Sequence, residues 1–334
     1  MQLSIIIVNY KSSHFIVDCL RSAMAFESYK NFEWIIVDND SKDASKETIL
    51  QEFPFVVWHD MGYNAGFARA NNAGIRMAKG ENIVLLNPDT LILEDALQKT
   101  STIFSASTHA ACGVQMLHPN LTTQISGSHF MKGGLNHLLP LPYWGSFLKW
   151  IAGFMKMQKP SIEVAQAEEK VDWISGAFLM VKKQVIEAAG LMDEDFFLYA
   201  EEVEWCSRLG KQGSLCIYGD IHIVHIIGEV ISSNSKSKDK SYTNLFDKKG
   251  LQFILSNHVR IRKQYGLFWF LIQLLNYTIA VPIYIIASLV HNLFTLQNPM
   301  PDLEKSMGLG YNVLRVWGLS GHIIRNQPYF YKVL

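Results

Sequence analysis

Residues 82–90 read Asn82-Ile83-Val84-Leu85-Leu86-Asn87-Pro88-Asp89-Thr90. The unbroken apolar run between polar residues fits a strand buried on both faces, the kind found in parallel sheets covered by helices. Asp89 then emerges at the carboxyl end of that strand. An acid there serves either as a cap for the chain that follows or as a hard oxygen ligand for a cation.

Working outward, the same β-branched character recurs at 3–8, 34–37 and 55–58, with helical patterns between most of these runs. Strands separated by helices predict an α/β fold with a largely parallel sheet, whose ligands gather at the carboxyl ends of the strands. The loops at those ends are Asn9-Tyr10-Lys11, Asp38-Asn39-Asp40-Ser41, Gly62-Tyr63-Asn64-Ala65-Gly66 and Asn87-Pro88-Asp89. Each is polar, small or acidic. Further on, 171–181 predicts a pair of strands, 200–212 a helix, and 214–218 and 221–226 two more strands.

With 334 residues and 49% hydrophobic content the chain can bury a core and fill about two domains. Its 30 Lys+Arg balance 30 Asp+Glu, so no global field draws it to a polyanion, and nucleic acid is not expected as a partner. Cys19, Cys112, Cys206 and Cys216 are widely spaced and form no CxxC pair, which fits reduced core thiols. The apolar start is too short for a span and lacks a basic flank, so no secretory signal is expected. Without that route, the acceptor patterns at Asn120 and Asn276 read as chance matches.

The stretch 131–170, with Gly133-Gly134 and an aromatic run through Tyr143, Trp144, Phe147, Trp150 and Phe154, reads as an insertion over the sheet. The Ser- and Lys-rich residues 232–240 have the composition of a mobile loop or boundary. Beyond them, 266–294 is almost wholly apolar and exceeds the roughly 20 residues that cross a bilayer. Arg260, Arg262 and Lys263 precede it, which by the positive-inside tendency sets the earlier domain on the cytoplasmic side. The apolar run reads either as a tilted or re-entrant membrane helix or as a pair of helices packed on the catalytic domain or lying at the interface. A full crossing would strand the polar tail on the far side, so peripheral or monotopic attachment to the cytoplasmic face of the cell membrane is expected. The expected divisions are a catalytic domain at 1–231, a linker and basic helix at 232–264, and an apolar membrane-associating region at 265–334.

Other residues carry chemistry. Asp38 either shapes an Asx turn or accepts from the imino N–H of a pyrimidine. The glycines of 62–74 let backbone approach a ligand, with Asn64 and Arg69 beside them. No GxGxxG fingerprint or GxxxxGK[ST] loop occurs, which disfavours dehydrogenases and P-loop enzymes. Glu201, Glu202 and Glu204 open a helix behind Phe196, Phe197 and Tyr199. They complement the helix dipole or supply a general base, and neighbouring positions cannot do the same job. His222 and His225 are three apart on a strand, so each stands alone as a core histidine or a metal ligand.

Taken together, these blocks resemble the family 2 glycosyltransferases of the GT-A fold, in particular the bacterial rhamnosyltransferase-like members. The matching blocks are Ser4-Ile5-Ile6-Ile7-Val8-Asn9-Tyr10, Val37-Asp38-Asn39-Asp40-Ser41 with Asp43, the segment 64–74, Leu85-Leu86-Asn87-Pro88-Asp89, Asp172-Trp173-Ile174-Ser175-Gly176-Ala177, and 196–208 with His225. The resemblance implies that Asn9, Tyr10, Asp38, Asn64, Gly66, Arg69 and Asn87 hold a nucleotide-sugar. It also implies that Asp89 and His225 meet Mg2+ or Mn2+ at the diphosphate. Trp173, Ser175 and Gly176 would shape the acceptor side. Where the family usually has Glu-Asp, this chain has Glu201-Glu202, so the base falls on Glu202, one methylene longer than usual, with Glu201 beside it.

The implied reaction is inverting transfer of a sugar from a dTDP- or UDP-sugar, rhamnose by analogy, to a glycan or lipid-linked acceptor in bacterial cell-surface polysaccharide synthesis. The Gln-x-x-Arg-Trp signature of processive synthases is absent, which favours transfer of one or a few sugars. The alternatives are a catalytically inactive, membrane-tethered homologue that acts as a binding or scaffold protein, and a sugar nucleotidyltransferase. The second would show a glycine-rich loop after its first strand, which Asn9-Tyr10-Lys11-Ser12-Ser13 is not.

Overall fold

Burial on both faces is what the apolar runs predict, and β1 (Leu3–Asn9), β2 (Glu33–Asp38) and β4 (Asn82–Leu86) are almost entirely buried. The computed structural model describes residues 2–154, 161–226 and 244–334. Between and after these strands come α1 (Ser13–Met24), α2 (Ser45–Glu52), β3 (Val57–Asp60), α3 (Gly66–Met77), β5 (Thr90–Ile92), α4 (Ala96–Ala106), β6 (Ala111–Leu117) and β7 (Gly127–Ser128). They are followed by α5 (Trp144–Phe154), β8 (Glu169–Val171), β9 (Trp173–Ile174), β10 (Phe178–Lys182), α6 (Lys183–Ala189), α7 (Glu201–Leu209) and β11 (Leu215–His225). Last are α8 (Lys248–Tyr265), α9 (Leu267–Thr295) and α10 (Met300–Arg325). Of the described residues, 2–129, 161–197 and 201–226 form one unit, and 130–154, 198–200 and 244–334 form a second.

The first unit is built on a sheet of order β3-β2-β1-β4-β10-β6-β11-β5, with β8 added on β11. β3, β2, β1 and β4 are parallel to one another. β10 is antiparallel to β4 and β6, β11 runs parallel to β6, and β5 returns antiparallel on β11. The parallel half is as the sequence predicts, and the far half is mixed. Strand alternation sends Ile5, Ile7, Trp34, Ile36, Val84 and Leu86 to a core shared with α1, α2 and α4. On the other face α3 packs so closely that a Cβ at Gly74 would lie 2.5 Å from Ile6 Cγ2. All four cysteines are buried free thiols, and burial pushes Cys19, Cys206 and Cys216 up to about 12.

Several boundaries differ from the sequence reading. The strand expected at 55–58 is Val57–Asp60, because Pro54 and Phe55 lie in a turn before it. The stretch 171–181 holds the end of β8, then β9 and most of β10, rather than two strands. The two strands expected at 214–218 and 221–226 are one, β11, whose register shifts between Tyr218 and His222. A bulge absorbs the extra residues there, and Gly219 is needed because a Cβ would sit 2.2 Å from Gln166 O.

The expected insertion at 131–170 is split, for 130–154 clusters with the C-terminal helices and not with the sheet. The linker at 232–240 and the boundary at 231 lie outside the described residues. The basic helix assigned to 232–264 appears as α8, which packs against α9 and α10 as part of the helical unit.

In the second unit several polar residues are buried and many large apolar ones exposed, beside an apolar core that includes Phe270, Leu274 and Leu309. On α9, Gln273 is 0% exposed, Ser288 1% and Asn292 3%, whereas Leu293 is 72% exposed and Phe294 83%. On α10, Ser306 and Asn312 are buried while Met307, Leu314 and Trp317 are exposed. The buried polar groups are spent internally. Gln273 Nε2 donates to Gly133 O and Gly134 O, at 3.1 and 2.9 Å, and Tyr277 Oη donates to His137 O at 3.1 Å. Asn292 Nδ2 donates to Asp302 Oδ2 at 2.9 Å, and Asn312 Nδ2 to Leu245 O at 2.8 Å. Trp144 Nε1 donates to Asn276 Oδ1 at 2.9 Å, which ties α5 and its exposed Phe147, Trp150 and Phe154 to α9. Of the basic cluster before α9, Arg260 is only 1% exposed and so presents no charge to a surface.

His258 on α8 is 1% exposed, and its Nδ1 donates to Ile254 O at 2.8 Å. Burial lowers its imidazole from the usual value to about 4. The unfolded ring binds a proton more readily than the folded one, so this term leaves stability intact above about pH 6.5 and removes it as pH falls toward 4. Denaturant titrations across that range should show an acid loss on the order of 3 kcal/mol that His258→Phe removes. An acid loss identical in the two chains would show that this ring is not its source.

Candidate active site

Parallel pairing brings the ends of β1 and β2 side by side, with Asn9 opposite Asp38. Asn9 is fully buried, and its Nδ2 donates to Asp38 Oδ1 at 2.7 Å and to Ser41 Oγ at 3.0 Å. Its Oδ1 accepts from Ser12 N at 3.1 Å. Asp38 Oδ2 accepts from Ser41 N at 3.1 Å. The carboxylate is thereby held in one orientation at the edge of the sheet. Asp40 and Lys42, with φ of 68° and 55°, turn the chain sharply around it. Tyr10 follows Asn9 on the same edge and is half-buried.

Asn39 joins this turn to the next loop. Its Nδ2 donates to Asn64 Oδ1 at 3.1 Å, and its Oδ1 accepts from Ala65 N at 2.8 Å. Gly66 then starts α3 with φ of 78°, and a Cβ there would lie 2.2 Å from Phe197 O. Only glycine allows Phe67 N to donate to that carbonyl at 2.8 Å. Arg69 Nε donates to Glu194 O at 3.0 Å, and Asn72 Nδ2 to Met192 O at 2.9 Å. Thus α3 is fastened to the segment 192–197.

The second group lies at the ends of β4 and β11. Asp89 and His225 are 5% and 7% exposed, and His225 Nε2 stands 3.4 Å from Asp89 Oδ1. Asn87 Nδ2 is 3.3 Å from the same nitrogen, and Asn87 N donates to Ala177 O at 3.0 Å. Ile226 N donates to Asp89 O at 2.9 Å, locking the two strand ends together. A carboxylate oxygen and an imidazole nitrogen at this spacing could hold a divalent cation: ligand distances of about 2.1 Å to each would subtend roughly 108°. Among the described residues no cluster of three or more His, Cys, Asp or Glu side chains is arranged for a metal. Among the described residues the site therefore offers this pair of donors.

The third group surrounds the start of α7. Glu201 is buried and Glu202 half-buried. A methyl group added at Gly176 would lie 3.6 Å from Glu202 Cβ and 3.5 Å from Phe67 Cε1, so the 173–178 segment, α3 and Glu202 meet there. Glu204 has a different task, forming a two-pronged pair with Arg208 at 2.8 Å on each prong. Trp205 Nε1 donates to Gly190 O at 2.8 Å and anchors the helix. Trp173 is half-buried and pairs with Ser128, and Ser175 N donates to Ser126 O at 2.9 Å.

All the site residues singled out in the sequence belong to the sheet unit, and they form these three groups. Sequence reasoning missed Gln124, a buried side chain in contact with His225. No local signal marks it, because its position follows from long-range strand pairing.

The model of glycosyl transferase family 2 matches residues 4–184. Among curated proteins the chain is 28% identical to the low-salt glycan biosynthesis hexosyltransferase Agl10 of Haloferax volcanii, over 63% of this chain and 62% of that protein. It is 27% identical to the N-acetylglucosaminyl-diphospho-decaprenol L-rhamnosyltransferase of Mycobacterium tuberculosis, over 55% of this chain and 62% of that protein. The chain thus spans about three-fifths of the length of these relatives. Among solved structures, the mannosyltransferase PcManGT of Pyrobaculum calidifontis, in complex with GDP-Man and Mn2+, has a TM-score of 0.55 at 13% identity. That match covers 95% of this chain and 86% of the other, and it shows a shared GT-A fold.

Proposed function

The chain belongs to glycosyl transferase family 2, and from that premise we propose that it is an inverting glycosyltransferase. It takes a sugar from a dTDP- or UDP-linked donor and passes it to a glycan or lipid-linked acceptor in bacterial cell-surface polysaccharide synthesis. The observation that carries this reading is the gathering of a fixed carboxylate, an Asp–His pair and a half-buried Glu in one unit. Rhamnose is the preferred candidate sugar by likeness to the mycobacterial relative, whose name specifies an L-rhamnosyl donor and a decaprenol-linked acceptor.

In this mechanism Asp38, oriented by Asn9 and Ser41, accepts from the imino N–H of the base, with Tyr10 beside the ring. Asn64, Gly66, Arg69 and Asn87 line the nucleotide. Asp89 and His225 would hold Mg2+ or Mn2+, and their donor set and spacing fit such an ion. When bound, the ion neutralises charge developing on the leaving diphosphate. Glu202 removes the proton of the acceptor hydroxyl as that oxygen bonds to the anomeric carbon. The bond from that carbon to the diphosphate breaks, and its electron pair leaves with the nucleotide. Attack from the face opposite the leaving group inverts the centre, and no protein nucleophile is needed. Trp173, Ser175 and Gly176 present the acceptor to Glu202, while the buried Glu201 supports the helix start.

The helical unit supplies the setting. Beside its apolar core it buries several polar residues and exposes a run of large apolar ones, the arrangement a lipid surface favours. We therefore read the protein as peripheral or monotopic on the cytoplasmic face of the cell membrane, where lipid-linked acceptors are found.

Two measurements test these readings. In a screen of dTDP- and UDP-sugars with Mn2+, Glu202→Gln should lower transfer by about 100- to 10,000-fold while donor binding persists. Donor binding without transfer by the wild type, across all acceptors tried, would favour a binding or scaffold protein instead. The 334-residue chain should also co-sediment with anionic liposomes, and Leu293→Asp with Phe294→Asp should release it. A chain freely soluble without detergent and indifferent to liposomes would refute the membrane assignment.

A further inference from the structure

Which ring nitrogen of His225 carries its proton is decided from another strand. After β6 the chain reverses through residues 118–122, where His118 N donates to Thr122 O and Leu121 N to His118 O, both at 2.8 Å. Leu121 has φ of 63°, and Asn120 Oδ1 accepts from Thr122 N at 3.2 Å and from Thr122 Oγ1 at 2.6 Å. The reversal sets Thr123 against Leu117 and passes Gln124 N to Met116 O at 2.8 Å. Gln124, 4% exposed, therefore lies on the returning segment beside β6 and reaches His225 at the end of β11.

The amide of Gln124 can point only one way. Its Nε2 donates to Leu117 O at 3.0 Å and to His225 O at 2.5 Å, with His118 Nδ1 at 3.2 Å. Two backbone carbonyls demand an NH2 group, so a flipped amide would face oxygen with oxygen. Oε1 is left facing His225 Nδ1 at 3.2 Å. An amide oxygen only accepts, so Nδ1 carries the hydrogen and Nε2 turns its lone pair toward Asn87 Nδ2 and Asp89 Oδ1.

We infer that Gln124 is a positioning residue that holds His225 as its Nδ1–H tautomer, so that Nε2 and Asp89 face a divalent cation together. The inference rests on the metal reading above. Gln124 grips both the carbonyl and the ring of one residue, fixing the ring's place as well as its tautomer. Without it, Nε2 would take up the hydrogen and donate to Asp89 Oδ1, 3.4 Å away. The two ligands would then satisfy each other and exclude the cation. Supporting groups of this kind change metal affinity about 10- to 100-fold when removed.

Two readouts test it, neither of them turnover. Long-range 1H–15N spectra of the histidine rings at mildly alkaline pH, assigned with His225→Ala, report the tautomer, and Mn2+ binding is followed by water-proton relaxation with and without UDP. The wild type should show His225 as Nδ1–H. Gln124→Met should switch it to Nε2–H and weaken Mn2+ binding about tenfold or more. An unchanged tautomer in Gln124→Met overturns the inference, and a switch without weaker Mn2+ binding overturns the positioning role. Should Gln124→Met not fold, a ring protonated at Nε2 in the wild type overturns it equally. Mn2+ binding unaffected by Asp89→Ala would instead refute the metal reading and leave the tautomer result standing.

Discussion

Parallel strands leave a sheet at the same edge, and the site depends on this constraint of backbone direction. β1, β2 and β4 run together, so Asn9, Asp38 and Asn87 all exit on one side. β10 is antiparallel to β4, with Phe178 opposite Leu86, so the segment 173–177 enters from that edge. β6 and β11 are parallel to each other and antiparallel to β10, and their ends bring Gln124 and His225 to the same side. The polar chemistry is concentrated where strands end. The strand interiors are free to be apolar on both faces, each buried side chain contributing roughly 1.5–3 kcal/mol.

How much of this was legible depends on whether a residue's place is set locally. The strand 82–86 was fully readable because an apolar run bounded by polar residues is a local signal. Strand β3 was misplaced because it forms the sheet's edge, where exposure blurs the pattern. The single strand β11 looked like two because Gly219 and Asp220 interrupt the sequence at a bulge without ending the pairing. Gln124 was invisible. Its role needs the turn at 118–122 and the neighbouring end of β11, and neither is written near it in the chain.

The helical unit teaches a related lesson. Gln273, Asn276 and Asn292 look like flaws in an apolar run, yet the structure turns them to internal partners while Leu293 and Phe294 lie outside. Hydropathy alone cannot show which face a residue occupies. Once those partners are known, the exposed apolar surface is the feature on which the proposed lipid contact rests. The buried Arg260 likewise shows that not every residue of a basic cluster in sequence reaches the surface.

The central claim is that Asp89 and His225 form a divalent-cation site at the carboxyl edge of the sheet. Anomalous diffraction at the manganese edge, from crystals grown with Mn2+ and UDP or dTDP, tests it most directly. The account predicts a peak about 2.1 Å from both a carboxylate oxygen of Asp89 and Nε2 of His225, on the diphosphate side of the nucleotide. A nucleotide bound at Asp38 with manganese elsewhere, or with none beside its diphosphate, would contradict it.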